Sequence, residues 1–357
     1  MAQAAASRNA KSGLADAAIV TEDNILTVNP AADPNAAGQE RNHVMRFGVL
    51  GDAKIAREKL LPAIRAAGHE VTHVGRRDPG VGVDPVWGDV SVCDYETLIA
   101  HPDVDAIYNP LPNHLHVPWS VRALEAGKPV LSEKPVALSL TELDHLEAAT
   151  ESTGRYLYDG YMVRYHPQWD WIRSLDVGRR KIVNAHFSYP PQPEGNIRNI
   201  AAWGGGPIWD IGCYCLLSGM MLFDGTPELI AVHKEQEDHL DVEKTATAII
   251  DFGNGQTLHF TASSGSSLQQ SVLLVGTDGW AKLDVPFNAP RQTTARWAHH
   301  GKTPAAMLGT GTEVTFEPCD QYQLMVEDFA RAVAEGRRAD LSQSRHLTRI
   351  LSAMVVA

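Results

Sequence analysis

"MRFGVLGDAKIAREKLLPAIRAAGHEVTHVGRR", residues 45–77, decides the fold. "MRFGVLG" (45–51) is a short apolar strand ended by a glycine. "DAKIAREKLLPAIRAAG" (52–68) sets Ile55, Leu60, Leu61 and Ile64 at helical spacing and stops at Gly68. "EVTHVGRR" (70–77) reads as a second strand. Strand, glycine turn, helix, strand is a βαβ unit, which makes a parallel sheet with a right-handed crossover.

The turn itself, Gly51-Asp52-Ala53-Lys54-Ile55-Ala56, is a G-x-A-x-x-A variant of the dinucleotide fingerprint. Alanine at the second place still permits fairly close backbone approach, and at the third still permits helix–strand packing. Gly51, Ala53, Lys54 and Ile55 are therefore expected against a dinucleotide. Farther on, where an NAD enzyme places Asp or Glu against the ribose 2′-hydroxyl, this chain has Gly75-Arg76-Arg77. Arginines there suit a 2′-phosphate through charge-assisted hydrogen bonds, which favours NADP over NAD. The plainer alternative is a solvated basic turn after a strand.

Residues 94–140 continue the alternation with a helix, strand 104–110, a loop, helix 117–126 and strand 129–132. The loop "PLPNHLH" (110–116) follows the C-terminal end of a strand, the edge where doubly wound sheets bind ligands. Leu111, Asn113 and His116 are expected to face the cofactor. His114 and His116 have no third ligand nearby in sequence, so a polar loop is expected there and no metal site.

Bulk properties agree with a two-domain chain. The 357 residues exceed one ordinary core, and 44% hydrophobic with 21% charged residues is a globular balance. A net charge of −12 argues against a nucleic-acid or anionic-membrane surface. The four cysteines, Cys93, Cys213, Cys215 and Cys319, form no CxxC pair, which fits reduced thiols. No run of 18 apolar residues occurs and no secretory h-region opens the chain. A cytoplasmic location is expected, or a periplasmic one if an export signal has been trimmed. Residues 1–44 are Ala-rich and free of aromatics. They read either as a disordered tail or as an extended arm that docks Ile19, Val20, Ile25, Leu26 and Val28 on a body or a neighbouring subunit.

Beyond about residue 160 the grammar changes. "KIVNAHFSY" (181–189), "EKTATAIIDF" (243–252), "GQTLHFTASS" (255–264), "QSVLLVG" (270–276) and "GWAKLDV" (279–285) read as strands. Tight turns such as Asn254-Gly255 join some of them, as in an antiparallel meander. A helix over about 320–335 is expected to turn Leu324, Phe329 and Val333 inward. Between strand 181–189 and the meander lies "WGGGPIWDIGCYC" (203–215), which precedes or opens an expected helix from Ile208 to Phe223. Asp210 and Tyr214, four apart, share one face of it. Spacing alone favours the bland reading, Asp210 as a cap and Tyr214 as a core aromatic.

"SEKPVALSL" after strand 129–132, "PNHLH" before it and "GGGPIWDIGCY" later resemble the glucose–fructose oxidoreductase/inositol dehydrogenase family over about residues 45–350. The resemblance implies an N-terminal Rossmann domain (45–160) and a C-terminal α+β domain (161–357) on a large, mainly antiparallel open sheet. It implies cofactor contacts from Glu133 and Lys134, a peptide before Pro135 that is commonly cis, and Asp210 and Tyr214 facing a nicotinamide. Many members carry His where this chain has Tyr214; tyrosine resembles the glucose–fructose oxidoreductase, D-xylose dehydrogenase and dihydrodiol dehydrogenase branches. Oxidation of an aldose at C1 to the aldonolactone is therefore expected. Tyr214 would be the base, its pKa lowered by Lys134, which would also hold a sugar hydroxyl, and Asp210 would fix the pose. Tyr161, Arg164 and Arg198 are further substrate-binding candidates; Tyr189 and Tyr108 are expected in the core or lining. If residues 1–44 fold over the cofactor, NADP would stay bound and a second sugar would reoxidise it. A dimer or tetramer, an NAD(P)-assisted glycosidase and a non-catalytic sugar or nucleotide sensor complete the expectations and rivals.

Overall fold

The computed structural model describes residues 18–20, 26–28, 44–237, 239–299 and 311–357. Most of the 1–44 arm, including Ile25, lies outside them, as does His300. Two short strands come first, β1 (Ala18–Val20) and β2 (Leu26–Val28). The parallel sheet follows: β3 (Arg46–Leu50), β4 (Glu70–Gly75), β5 (Ser91–Cys93), β6 (Ala106–Asn109), β7 (Val130–Ser132) and β8 (Leu157–Asp159). Its order is β5-β4-β3-β6-β7-β8, and every neighbouring pair is parallel. Strands buried on both faces read as continuous apolar runs, and all four residues of β6 are buried.

The helix after β3 begins at Lys54-Ile55 but is irregular over its first turns. Ala56–Leu60 is a π-helical turn and Leu61–Ala66 completes the element, α1. Pro62 has no N–H to offer an intrahelical bond, so a regular ladder cannot run through it. The remaining helices of this unit are α2 (Tyr95–Ala100), α3 (His116–Glu125) and α4 (Leu140–Thr153). Ser139 caps α4 by accepting from the Glu142 N–H, while the Glu142 carboxylate accepts from the Leu138 N–H.

The second sheet departs from a simple meander. After α5 (Gln168–Ser174) come β9 (Arg180–Ser188) and the helix α6, a π-helical turn Ile208–Gly212 running into Cys213–Leu222. Then follow β10 (Glu228–Gln236), β11 (Glu243–Asp251), β12 (Thr257–Ser263), β13 (Gln269–Gly276), β14 (Gly279–Leu283), β15 (Thr294–His299) and β16 (Thr312–Phe316). The order is β1-β2-β16-β15-β14-β13-β9-β12-β11-β10. β9 is inserted between β12 and β13, parallel to one and antiparallel to the other. The chain leaves β9 through α6 for the far edge and hairpins back, so β12 and β13 never meet. The expected Asn254-Gly255 turn is present, with φ of 54° and 68°, as a type I′ hairpin requires. The described pieces of the arm add β2 in parallel to the β16 edge, with β1 antiparallel to β2.

One face of this sheet carries Ala246, Ala248, Ile250, Leu258 and Phe260 against α6. α6 is apolar almost all round, which fits an element buried between layers. The last two helices, α7 (Gln321–Ala334) and α8 (Ser342–Val356), return to the first unit. α7 lies on α1, with Phe329 6.0 Å from Phe47 between ring centroids, and Arg345 of α8 binds Asp144 and Glu147 of α4. The inward face of α7 is Met325, Val326, Phe329 and Ala332. Leu324 and Val333 are only half-buried, because the helix is rotated to serve both α1 and the turn after β8.

Candidate active site

Gly51 leaves β3 with φ of 91°, a conformation an L side chain resists, and its N–H bonds the Gly75 carbonyl at 2.9 Å. A Cβ there would stand 3.2 Å from the Leu111 side chain, so the turn stays bare on that side. Ala53 is half-buried and Ile55 caps the π-helical turn, while the Lys54 side chain points outward with only Glu58 3.8 Å away. The Asp52 carboxylate is enclosed: it accepts from Arg57 (2.7 Å), the Trp87 indole (2.8 Å), the Asp84 N–H (3.1 Å) and Arg76 (3.2 Å). Arg76 also donates to the Gly82 carbonyl at 2.7 Å, and Arg77 is exposed at the end of the same strand. The bare glycine, the helix start and a guanidinium beside them fit a dinucleotide diphosphate lying across the turn.

The loop after β6 is knit into its neighbours. His116 sets Nε2 2.6 Å from the Leu111 carbonyl and Nδ1 2.8 Å from the Pro135 carbonyl, joining that loop to the Glu133-Lys134-Pro135 loop after β7. Burial holds its imidazole neutral, with the pKa pushed down to about 4 despite both carbonyls. The Lys134–Pro135 peptide is cis. Glu133 accepts from the buried Tyr108 hydroxyl at 2.7 Å, and burial raises its carboxyl. Asn113 donates to the Gly204 carbonyl across the domain gap at 2.9 Å, and His114 stacks on Trp203 at 5.3 Å.

Lys134, Asp210, Arg198 and Tyr214 converge at the opening of α6. Gly206, at φ 93°, admits the Glu243 carboxylate, 2.6 Å from where a Cβ would be, and Glu243 accepts the Ile208 N–H at 3.0 Å. That contact fixes the first turn and with it Asp210. Lys134 Nζ donates to the Asp210 carbonyl at 2.7 Å and lies 3.4 Å from its Oδ1. Oδ2 accepts from Arg198 Nε at 2.7 Å and the Tyr189 hydroxyl at 2.8 Å. Burial opposes ionisation of Asp210, but Lys134 and Arg198 overcome it and hold the pKa down to about 2. Asp210 is thus not the cap of the plainer reading but a carboxylate shared by two cations and a phenol.

Tyr214 differs from expectation in how it meets Lys134. The ammonium lies 4.8 Å over the ring face, as a cation–π contact, and not at the hydroxyl. That hydroxyl donates to the Met162 thioether at 3.5 Å, and burial drives the phenol's pKa well above its usual 10. The ring is packed by Tyr161, Phe187 and Phe287. Tyr161 is buried edge-on to Tyr214 at 5.7 Å, whereas Arg164, a turn later, faces away into a separate cavity. Glu243 and Met162 were not legible as site residues, and Tyr189 was read only as core or lining. The charged pair Glu243-Lys244, buried at the head of an apolar strand, was the available signal.

Fold and site together define an oxidoreductase with a Rossmann-type NAD(P)-binding unit. Residues 45–161 match the oxidoreductase family with NAD-binding Rossmann fold, and residues 169–282 the GFO/IDH/MocA C-terminal domain. The chain belongs to the GFO/IDH/MocA family. It is 33% identical to an uncharacterized oxidoreductase of Rhizobium meliloti, over 82% of this chain and 90% of that one. It is 30% identical to D-xylose 1-dehydrogenase (NADP(+)) 2 of Haloferax volcanii, over 87% and 96%. The 3-ketoreductase KijD10 of Actinomadura kijaniata, solved with NADP and TDP-benzene, superposes with a TM-score of 0.79 at 28% identity, over 87% and 97%. Among the described residues no helix is long and apolar enough to cross a membrane, and no cluster of three metal-ligating side chains occurs.

Proposed function

We propose that the protein oxidises an aldose of the xylose or glucose type at C1 to the aldonolactone, with NADP as its cofactor. The observation that carries the reading is the Asp210 carboxylate, ionised and shared by Lys134, Arg198 and Tyr189 one turn before Tyr214. A fixed carboxylate flanked by two cations suits a polyhydroxylated ligand, since each sugar hydroxyl both donates and accepts. The likeness to an NADP-linked xylose dehydrogenase supports the same class.

Gly51, Ala53 and Ile55 would hold the diphosphate, Arg76 the 2′-phosphate, and Leu111 would bound the pocket. Bound NADP would supply the hydride acceptor. Asp210 and Arg198 would accept and donate to the sugar hydroxyls and fix the pose. Tyr214, once it has lost its own proton to solvent, would take the proton of the anomeric hydroxyl as the hydride leaves C1. A thioether is a weak acceptor, so the phenol gives up Met162 at little cost when a substrate hydroxyl arrives. Lys134 would favour the phenolate form of Tyr214 through the ring face and would hold the Asp210 backbone in register.

The test is an absorbance spectrum of the purified protein, with no cofactor added, before and after excess D-xylose or D-glucose. Steady growth of the reduced-nicotinamide band once NADP is supplied establishes a releasing dehydrogenase. A rise stoichiometric with protein, without added NADP and erased by a second sugar, establishes a sugar-to-sugar shuttle. No rise in either case sinks the aldose reading, and a ketoreductase assay on a nucleotide-linked keto sugar then takes precedence.

A further inference from the structure

A cavity of about 390 Å³ opens away from Asp210 and Tyr214, between the end of β8, the turn after it and the α7–α8 connection. Asp159, Arg164, Arg337, Arg338, Asp340 and Ser344 are among the residues that line it, and the Asp340 carboxylate also accepts the Ser342 N–H. Two of its polar atoms are buried without a partner among the described residues: Asp159 Oδ1 and Arg164 Nε. The other Asp159 oxygen accepts from the Ser344 hydroxyl at 2.7 Å, and Asp159 as a whole is only 6% exposed. The neighbouring Arg337 is already committed to Asp328 and Glu335, so Arg164 and the exposed Arg338 are the cations the cavity has to offer.

An unpaired buried donor and an unpaired buried acceptor each cost folding free energy, and a ligand that answers both recovers it. An anion alone would satisfy the guanidinium and repel the carboxylate. A sugar without charge would leave the arginines unmatched. We propose that this cavity is a binding site for a small hydroxylated carboxylate, its carboxylate on Arg164 and Arg338 and a hydroxyl donating to Asp159 Oδ1. Burial pushes the Asp159 carboxyl up to about 6, still below neutral pH, so it remains mostly ionised and accepting there. The occupant would sit behind the catalytic face. Arg164 lies 5.5 Å over the Tyr161 ring, which in turn meets Tyr214 edge-on.

Calorimetric titration of the full chain with D-gluconate, and separately with inorganic phosphate, tests the site. Saturable gluconate binding is expected, weakened about ten- to hundredfold in Arg164→Gln, the scale of one lost charge-assisted hydrogen bond. It should weaken by a smaller factor in Arg338→Ala, a surface change that settles the matter if Arg164→Gln does not fold. Binding should survive in Lys134→Met. Gluconate binding lost in Lys134→Met and retained in both arginine variants would place it at Asp210 and overturn the proposal. Phosphate binding as tight as gluconate would overturn the hydroxycarboxylate assignment. No saturable binding of gluconate would mean that water alone answers the two orphan atoms, and would overturn it as well.

Discussion

Two helices of this chain open alike and are equipped differently. α1 and α6 each start with a five-residue π-helical turn after a glycine held at positive φ, Gly51 for one and Gly206 for the other. Such turns widen a helix and re-aim its first side chains, and they occur often at functional sites. At α1 the acidic side chain next to the glycine, Asp52, is consumed by four donors, which leaves backbone to face a ligand. At α6 the backbone is consumed, by Glu243 on the Ile208 N–H and Lys134 on the Asp210 carbonyl, which leaves the side chains for a ligand. On the proposed reading, the first opening would recognise a shape shared by many dinucleotides, and the second would discriminate among substrates.

Tyr214→Phe is the sharpest way to break that comparison. Loss of a proton acceptor should lower turnover roughly 10²–10⁴-fold with cofactor affinity nearly unchanged, as read by steady-state kinetics and cofactor titration. A two- or threefold loss would mean that the α6 opening only binds and that proton transfer lies elsewhere.

Asp210→Asn should act on stability as well as turnover. The folded carboxyl, held down to about 2, lies below its ordinary value of 3.8, so its ionisation stabilises the fold above about pH 4. That contribution, on the order of 2 kcal/mol, is lost as pH falls toward 2. The difference in urea midpoint between variant and parent should therefore be largest above about pH 4 and shrink as pH falls through 2. A difference independent of pH would show that packing, and not the shared charge, is what the substitution removes.

Gly206→Ala tests the turn that aims Asp210. A side chain at φ 93°, 2.6 Å from the Glu243 carboxylate, should cost about 1–3 kcal/mol and loosen the Glu243 contact. KM for the sugar should rise with it. An unchanged midpoint and KM would mean that the three-glycine turn is slack and does not position the site.

The βαβ half was legible because its signals are local: a strand, a glycine and a helix follow one another within some 30 residues. Five strands of the second half, β9 and β11 to β14, were legible singly, through alternation and the Asn254-Gly255 turn, whereas β10, β15 and β16 were not. The strand order was not legible, because β9 finds β12 and β13 across long loops that leave no periodic trace. β10 hid as a bulged, largely exposed edge, and α8 starts after Leu341, whose side chain cannot cap it, with Asp340 accepting the Ser342 N–H instead. Asp210 with Tyr214 could be picked out by spacing and resemblance, but Tyr189, 21 residues upstream, could not be tied to Asp210 by any spacing rule. Arg164 shows the reverse error. It stands three residues from Tyr161 in sequence, yet the 3₁₀ turn Met162–Tyr165 carries its guanidinium to another cavity.

The smallest effect expected is at α1. Arg76 already has the Asp52 carboxylate at 3.2 Å and the Gly82 carbonyl at 2.7 Å, so a 2′-phosphate would share a guanidinium that is partly committed. Its contribution to NADP selectivity should accordingly be about tenfold, the low end for a charge-assisted contact at a half-exposed site. Arg76→Ala should weaken NADP by that factor and leave NAD close to its parent value, as read by parallel titrations. Asp52→Asn sharpens the point: it frees Arg76, and NADP should bind somewhat tighter than to the parent. Equal weakening of NADP and NAD by Arg76→Ala would mean that Arg76 builds the turn through Asp52 and reads no phosphate. The α1 opening would then be wholly a matter of backbone.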